Sequence, residues 1–468
     1  MPDDGFLDAL LGARGAAIEV LHARTAVYTA EPVVDGLLGR LDWPRSDRCL
    51  VDPSCGDGAF VGRALEKLLA MRPDIAAEDM VRVLEGWEVH PAASSQARHR
   101  LTGILHGHGF EEAAAVAARI VRNADFLTEG PRGSGPRYHA IAGNPPYLRY
   151  ANLPELLRRE YLGVVPGNAR ADLLHSFLAR CADLLAADGE IGFVTADRWL
   201  FNMGAAALRA SLGQSLAIGH LERLDPASAF YRPKLRRAGT PPRIHPVAVV
   251  MRPLARGGIR LGAAAIHPGA EGGGIAPPLD GEGTVLGDVA TIRLAPWLGS
   301  PGIFVVDAAT ARRLPPECLV PAVDTDDIVD GVLQPPRRFA IRTLTGEEPP
   351  AEVLAHLDAH LERMAKRGRR TPRWLPPETF HGLDLSQPAL LIPRIARSLA
   401  PVRLPPGILP INHNLTIVGG RQADIGEIET RMRGEGAQAW MRTYAARLES
   451  NYFSITTTLL RSFPWRAE

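Results

Sequence analysis

Four residues, Asn144-Pro145-Pro146-Tyr147, end the apolar run Tyr138–Gly143 and carry the densest chemistry in the chain. An Asn side-chain oxygen and the carbonyl of the next Pro are two acceptors close together. Proline lacks an N–H and fixes its φ, and it also restricts the residue before it, so the turn is stiff. Two rigid acceptors can hold the two hydrogens of a conjugated amine, localise its lone pair and stabilise the charge that develops there. Tyr147 offers a ring on which a planar group can stack. Taken alone, the tetrad is also an ordinary strand-ending loop.

Other candidates precede it in order. "VDPSCGDGAF" sets Asp52, Ser54, Gly56, Gly58 and Phe60 between a strand and a helix. Glycines there let a ligand approach the backbone. Asp52 beside them disfavours a phosphate and suits an amino group; a plain strand-helix turn explains the glycines equally well. Glu88 in "GWEVH" ends the next strand, roughly 20–30 residues past the glycine loop, where an acid can accept from both ribose hydroxyls. Asp125 and Phe126 end a third strand, placed to accept from an exocyclic amine and to pack on a purine face. Any one of these acids reads as a solvated side chain, but three at successive strand ends outline a nucleoside site with an amino-acid-like tail.

The elements that must position these residues alternate. Strands are expected around 49–52, 83–89, 119–127, 138–143, 189–196 and 245–252. Amphipathic helices are expected over 58–73, 93–109 and 172–186. Such alternation means an α/β fold, a mostly parallel sheet with helices on both faces. The stretch 254–285 is rich in Gly and Pro and reads as a linker or loose crossover. Beyond it short strands and helices mix, so 286–468 is expected to be a second, α+β domain and 1–253 the first.

"DPSCGDGAF", "WEVH", "NADFL" and "GNPPY", in that order, resemble class I S-adenosylmethionine-dependent methyltransferases, and more narrowly the gamma-type (TaqI-like and Eco57I-like) DNA adenine-N6 methyltransferases. "VYTAEPVVDGLL" resembles that group's N-terminal motif, which makes Thr29 a contact to the methionine end of the cofactor. "DLLHSFLARCADLLAADGEIGFVTADRWL" resembles its later helix and strand, with Asp172 at the helix start. The resemblance spans residues 25–252. It implies a Rossmann-like domain that binds S-adenosylmethionine through Thr29, Asp52, Ser54, Gly56, Gly58, Phe60, Glu88, Asp125, Phe126 and Asn144. It implies a base flipped from double-stranded DNA onto Asn144, Pro145, Pro146 and Tyr147, with Phe230 as a second aromatic wall and Tyr231 as its substitute. Unpairing the base costs about a few kcal/mol, which stacking offsets. One displacement suffices, so no nucleophilic Cys or Ser is assigned. Asn at the head of the tetrad points to adenine N6 or a glutamine amide. The glutamine enzymes that share "NPPY" are compact, whereas this chain continues into a region expected to recognise a DNA target.

Basic runs supply candidate phosphate contacts: Arg232, Lys234, Arg236, Arg237 and Arg243 before the last large strand, then Lys366, Arg367, Arg369, Arg370 and Arg373 beside Trp374, then Arg394, Arg397 and Arg403. Each run reads equally as a solvated face. The net charge of +1 sets up no global field toward nucleic acid or membrane. Cys49, Cys55, Cys181 and Cys318 form no CxxC pair, so no metal site is expected and reduced thiols are. The N-terminus lacks a signal-peptide pattern, and no run approaches the roughly 18 apolar residues of a membrane span. The expectation is a cytoplasmic, nucleoid-associated enzyme, the modification arm of a restriction or phage-defence system with any nuclease on a separate subunit, or equally a solitary epigenetic methylase. Two alternatives stay open. One is the same chemistry on RNA adenine or a protein glutamine. The other is a DNA-binding specificity subunit with a vestigial site.

Overall fold

A computed structural model describes residues 4–45, 48–131, 137–231, 245–268, 283–364, 368–420, 423–448 and 452–465. The chain divides into two compact units, Met1–Pro278 and Leu279–Glu468.

In chain order, the first unit begins with α1 (Asp4–Thr25), β1 (Tyr28–Thr29), α2 (Glu31–Leu38), β2 (Leu50–Asp52) and α3 (Ala59–Met71). Then come α4 (Ala77–Val83), β3 (Leu84–Glu88), α5 (Pro91–Gly107), α6 (Ala113–Ile120), β4 (Val121–Asn123) and β5 (Tyr138–Gly143). It continues with α7 (Glu155–Val164), α8 (Leu173–Leu184), β6 (Leu185–Ala196), α9 (Arg198–Phe201), α10 (Ala206–Leu212) and β7 (Leu216–Arg223). The last are α11 (Pro226–Ala229), β8 (Phe230–Tyr231), β9 (Pro246–Pro253) and β10 (Ile259–Arg260).

Eight strands form one sheet in the order β10-β7-β9-β6-β5-β2-β3-β4. From β6 to β4 every pairing is parallel. The β10-β7, β7-β9 and β9-β6 pairings are antiparallel. The parallel strands are apolar on both faces because helices cover both. One core gathers Val51, Ile141, Ile191 and Phe193 with α8 and α10, and the other gathers Leu50, Ala140 and Val194 with α3, α5 and α6. All parallel strands therefore end at one edge, where open α/β sheets bind ligands.

Two expectations about extent are corrected. The third strand is shorter than expected: its first residues coil into α6, and β4 starts only at Val121. Residues 254–267 are not a free linker but pack on the first unit. β10 pairs with β7, Leu261 and Ile266 are buried, and the buried Arg209 guanidinium donates to the carbonyls of Gly262, Ala263 and Ala264.

The second unit is α+β. One four-stranded sheet runs in the order Ala290–Leu294, Leu415–Gly419, Ala389–Ile392, Val402–Leu404, and another in the order Val305–Asp307, Arg338–Ile341, Leu319–Val323, Leu409–Pro410. Ile425–Arg433 and Glu435–Tyr444 bury Ile428, Met432 and Met441 in the core of the first of these sheets. No described helix in either unit is long and apolar enough to cross a membrane.

Candidate active site

The three acids and the tetrad meet at the carboxyl edge of the parallel strands. Asp52 ends β2, and its Oδ1 accepts from the Ser54 amide at 3.1 Å. Gly56 adopts φ 56°, in the left-handed region that glycine tolerates. That conformation points its amide at Glu88 Oε2, 2.9 Å away, while His90 N donates to Glu88 Oε1 at 2.8 Å. Asp125 accepts from Leu127 N at 2.9 Å and from the Tyr161 hydroxyl at 2.8 Å. All three carboxyls are buried, and burial pushes each above the usual carboxylate range. For Asp52 the neighbouring Glu88 and Asp57 push further the same way. Such a cluster of acids attracts a ligand that brings positive charge or N–H and O–H donors.

A pocket with about 840 Å³ of atom-free space joins them. Thr29, Asp52, Ser54, Gly56, Phe60, Glu88, Asp125, Phe126 and Asn144 all line it, as does Pro146. Gly58 does not. At φ 86° it starts α3, and a Cβ there would lie 2.9 Å from the Ala97 backbone, so it serves helix packing. α1 supplies Leu21, His22 and Thr25 as a wall, and Tyr161 and Phe177 close the end near Asp125. Sequence reasoning missed this wall and both aromatic residues. The only signal for Phe177 was its place in the "DLLHSFL" segment, and Tyr161 carried none. Phe177 stacks on Phe126 at a centroid distance of 6.2 Å.

The tetrad comes directly after β5. Asn144 Nδ2 donates to Val27 O at 3.1 Å, and the Tyr147 hydroxyl reaches both Asn144 Oδ1 and Val194 O, the latter at 2.9 Å. Asn144 is thereby oriented, with its oxygen engaged by a hydroxyl that an incoming donor can replace. Pro145 and Tyr147 lie outside the pocket lining, behind Asn144 and Pro146. Asp172 is the N-cap of α8, and its Oδ1 also accepts from Leu148 N at 3.1 Å, tying the chain just after the tetrad to that helix. Phe230 lies on β8, paired with Thr29 of β1, but its ring packs in the core, only 9% exposed and outside the pocket lining. Tyr231, its substitute, is 36% exposed and bonds through its hydroxyl to Asp57.

The basic candidates divide. Arg232, Lys234, Arg236, Arg237, Arg243, Lys366 and Arg367 lie outside the described residues. Arg369 pairs with Glu362, Arg370 donates to Pro377 O, Arg373 pairs with Asp358 and Arg403 with Glu429. Arg394 and Arg397 are exposed, and Arg397 lies over the Tyr452 ring. Cys55, Cys181 and Cys318 are buried free thiols, and Cys49 is a half-buried one.

S-adenosylmethionine fits this pocket. The Thr29 and Ser54 hydroxyls are buried there without a protein hydrogen-bond partner, and the acids match a cofactor that is cationic at sulfur and nitrogen. Residues 105–226 match the family model of the Eco57I restriction-modification methylase. The type II methyltransferase M.XhoI of Xanthomonas vasicola is 24% identical over 94% of this chain and 90% of its own length. M.PaeR7I of Pseudomonas aeruginosa, also a type II methyltransferase, is 24% identical over 94% of this chain and 85% of its own. The type IIL restriction-modification enzyme MmeI, solved in complex with DNA, superposes with a TM-score of 0.60 at 15% identity, covering 99% of this chain and 68% of MmeI. Residues 105–226 thus match an Eco57I-like restriction-modification methylase domain, set in the class I S-adenosylmethionine-dependent methyltransferase fold of the first unit.

Proposed function

We propose that this protein methylates the N6 amine of adenine in double-stranded DNA, as the modification component of a restriction-modification system. The observation that carries the reading is the placement of Asn144: it is oriented by Val27 O and Tyr147, at the edge of a pocket whose acids suit S-adenosylmethionine. When bound, that cofactor supplies a methyl carbon activated by a positively charged sulfur. Asn144 Oδ1 and the Pro145 carbonyl take the two hydrogens of the acceptor amine. The amine displaces the Tyr147 hydroxyl from Asn144 Oδ1, and the hydroxyl keeps its bond to Val194 O. Held in this way, the amine nitrogen would present a lone pair freed from the ring toward the methyl group that the cofactor would supply, and the surplus proton of the nitrogen would pass to water. Orientation of donor and acceptor supplies much of the rate.

An adenine inside a duplex must leave the stack to reach Asn144. Pro146 flanks its path, Tyr147 supports Asn144 from behind, and Phe230 serves by backing β1. The second unit grips DNA in this reading. Supporting it, the relatives named as type II methyltransferases align along nearly the whole chain, both units included.

The test offers radiolabelled cofactor to separate DNA, RNA and protein pools with wild type and Asn144→Ala. The expected outcome is label in DNA for wild type, and loss of transfer with cofactor binding retained for the variant. Label confined to protein or RNA overturns the DNA reading, and undiminished transfer by Asn144→Ala overturns its assigned role.

A further inference from the structure

Most arginines of the first unit are held by an acid or a carbonyl oxygen. Arg63 pairs with Asp35, Arg119 with Glu78 and Arg223 with Asp197. Arg149 and Arg198 differ. Both are exposed, and neither guanidinium has a hydrogen-bond or ion-pair partner among the described residues. They follow adjacent strands. Arg149 lies six residues beyond β5, two past Tyr147, and Arg198 opens α9 two residues beyond β6. β5 and β6 are adjacent parallel strands, with Gly143 paired to Phe193, so both arginines emerge at the edge that carries the tetrad. Adjacent strands lie about 4.8 Å apart, so the two segments that carry these arginines leave the sheet side by side.

The backbone beneath each is fixed. Leu148 N donates to Asp172, and Tyr147 bonds Val194 O across the two strand ends. Asp197 N donates to His245 O at 2.9 Å, and the fully buried Asp197 carboxylate holds Arg223 at 3.1 Å. Asp197 thus pairs directly with Arg223, while Arg198 feels the same carboxylate without forming an ion pair with it. The His245 imidazole registers the surplus positive charge. Burial, then Arg198 and Arg223, push it down to about 4, so it stays neutral and adds no competing cation.

Two exposed guanidiniums without ion-pair partners, on fixed backbone at the sheet edge that carries the acceptor turn, are suited to a bidentate anion. We infer that Arg149 and Arg198 form a phosphodiester clamp, holding the backbone of the strand whose base enters the Asn144 site. This rests on the nucleic-acid acceptor proposed above.

The test measures binding of a pool of short duplexes of randomised sequence by fluorescence anisotropy across a KCl series. It uses the full chain as wild type, as Arg149→Gln/Arg198→Gln and as Arg149→Lys/Arg198→Lys. Each neutralised phosphate contributes about 0.9 to the slope of log K against log salt, so loss of the one clamped phosphate in the Gln pair should flatten it by about 0.9. The Lys pair should keep most of the slope, and all three proteins should bind S-adenosylhomocysteine alike. A steep wild-type slope left unchanged in the Gln pair overturns the clamp alone. So does a slope lost equally in the Lys pair. A wild type without salt-dependent DNA binding overturns the nucleic-acid reading and the clamp with it.

Discussion

Gly143 joins the two halves of the site, and replacing it by Ala tests that join. It is the last residue of β5, immediately before Asn144. A Cβ built on it would sit 2.6 Å from Asp52 Oδ1, 3.2 Å from Asp52 Cγ and 3.6 Å from Pro53 Cδ. The first distance is far inside any carbon–oxygen contact, so Asp52 or β5 must move. Asp52 is 1% exposed, and its carboxylate can yield only into the cofactor pocket it lines. Moving it breaks the 3.1 Å bond from Ser54 N that fixes the carboxylate. Overpacking costs roughly 1–3 kcal/mol and the lost hydrogen bond roughly 0.5–1.5 kcal/mol, together roughly 2–4 kcal/mol. For a unit of this size each kcal/mol is worth roughly 2–4 °C, so melting should fall by about 10 °C. Cofactor affinity should fall at least about tenfold, since about 1.4 kcal/mol of displaced carboxylate suffices. Scanning calorimetry and titration calorimetry with S-adenosylhomocysteine read the two effects. Gly103→Ala is the control: α5 surrounds an exposed glycine with open space there, so Ala should stabilise by up to about 1 kcal/mol. Wild-type melting and wild-type affinity in Gly143→Ala would refute the idea that the strand end and Asp52 are locked together.

Other perturbations have equally definite expectations. Tyr147→Phe removes the hydroxyl that orients Asn144 and leaves Val194 O short of a donor. It should cost about 1 kcal/mol of stability and lower kcat roughly tenfold, with cofactor Kd unchanged in a titration. Because burial raises the Asp52, Glu88 and Asp125 carboxyls, they retain protons above the ordinary carboxylate range and must release them to accept the cofactor's donors. Cofactor affinity should therefore strengthen as pH rises through and above that range, with proton release on binding. Calorimetry in buffers of different ionisation enthalpy checks this, and proton uptake would contradict it. Arg209→Met leaves the carbonyls of Trp199, Asn202 and Ala263 without their donor, a loss on the order of several kcal/mol, and thermal melting should show the first unit largely unfolded at growth temperature.

The parallel half of the sheet was legible because its strands are short apolar runs closed by Gly, Pro and acids. β2, β3 and β5 fall where "CLVD", "VLEGWE" and "HAIAG" put them, and their ends carry Asp52, Glu88 and Asn144. Non-local pairings were not legible. β1 and β8 are two residues each and meet only because the chain returns after a long excursion, which places Phe230 in the core, outside the pocket lining. β10 pairs with β7 from within a Gly- and Pro-rich stretch, and no periodicity marks so short a strand. α1 forms a wall of the cofactor pocket, yet nothing in its composition points to a ligand. The second unit is built largely of strands of two to five residues, too short for an alternating pattern to stand out.

The central claim is that the amine held at Asn144 belongs to adenine in DNA. Unmethylated bacterial DNA incubated with the protein and S-adenosylmethionine, digested to nucleosides and resolved by mass spectrometry, tests it most directly. The account predicts N6-methyldeoxyadenosine with wild type and its disappearance with Asn144→Ala. N4-methyldeoxycytidine in its place, or unmodified DNA beside methylated protein, would contradict it.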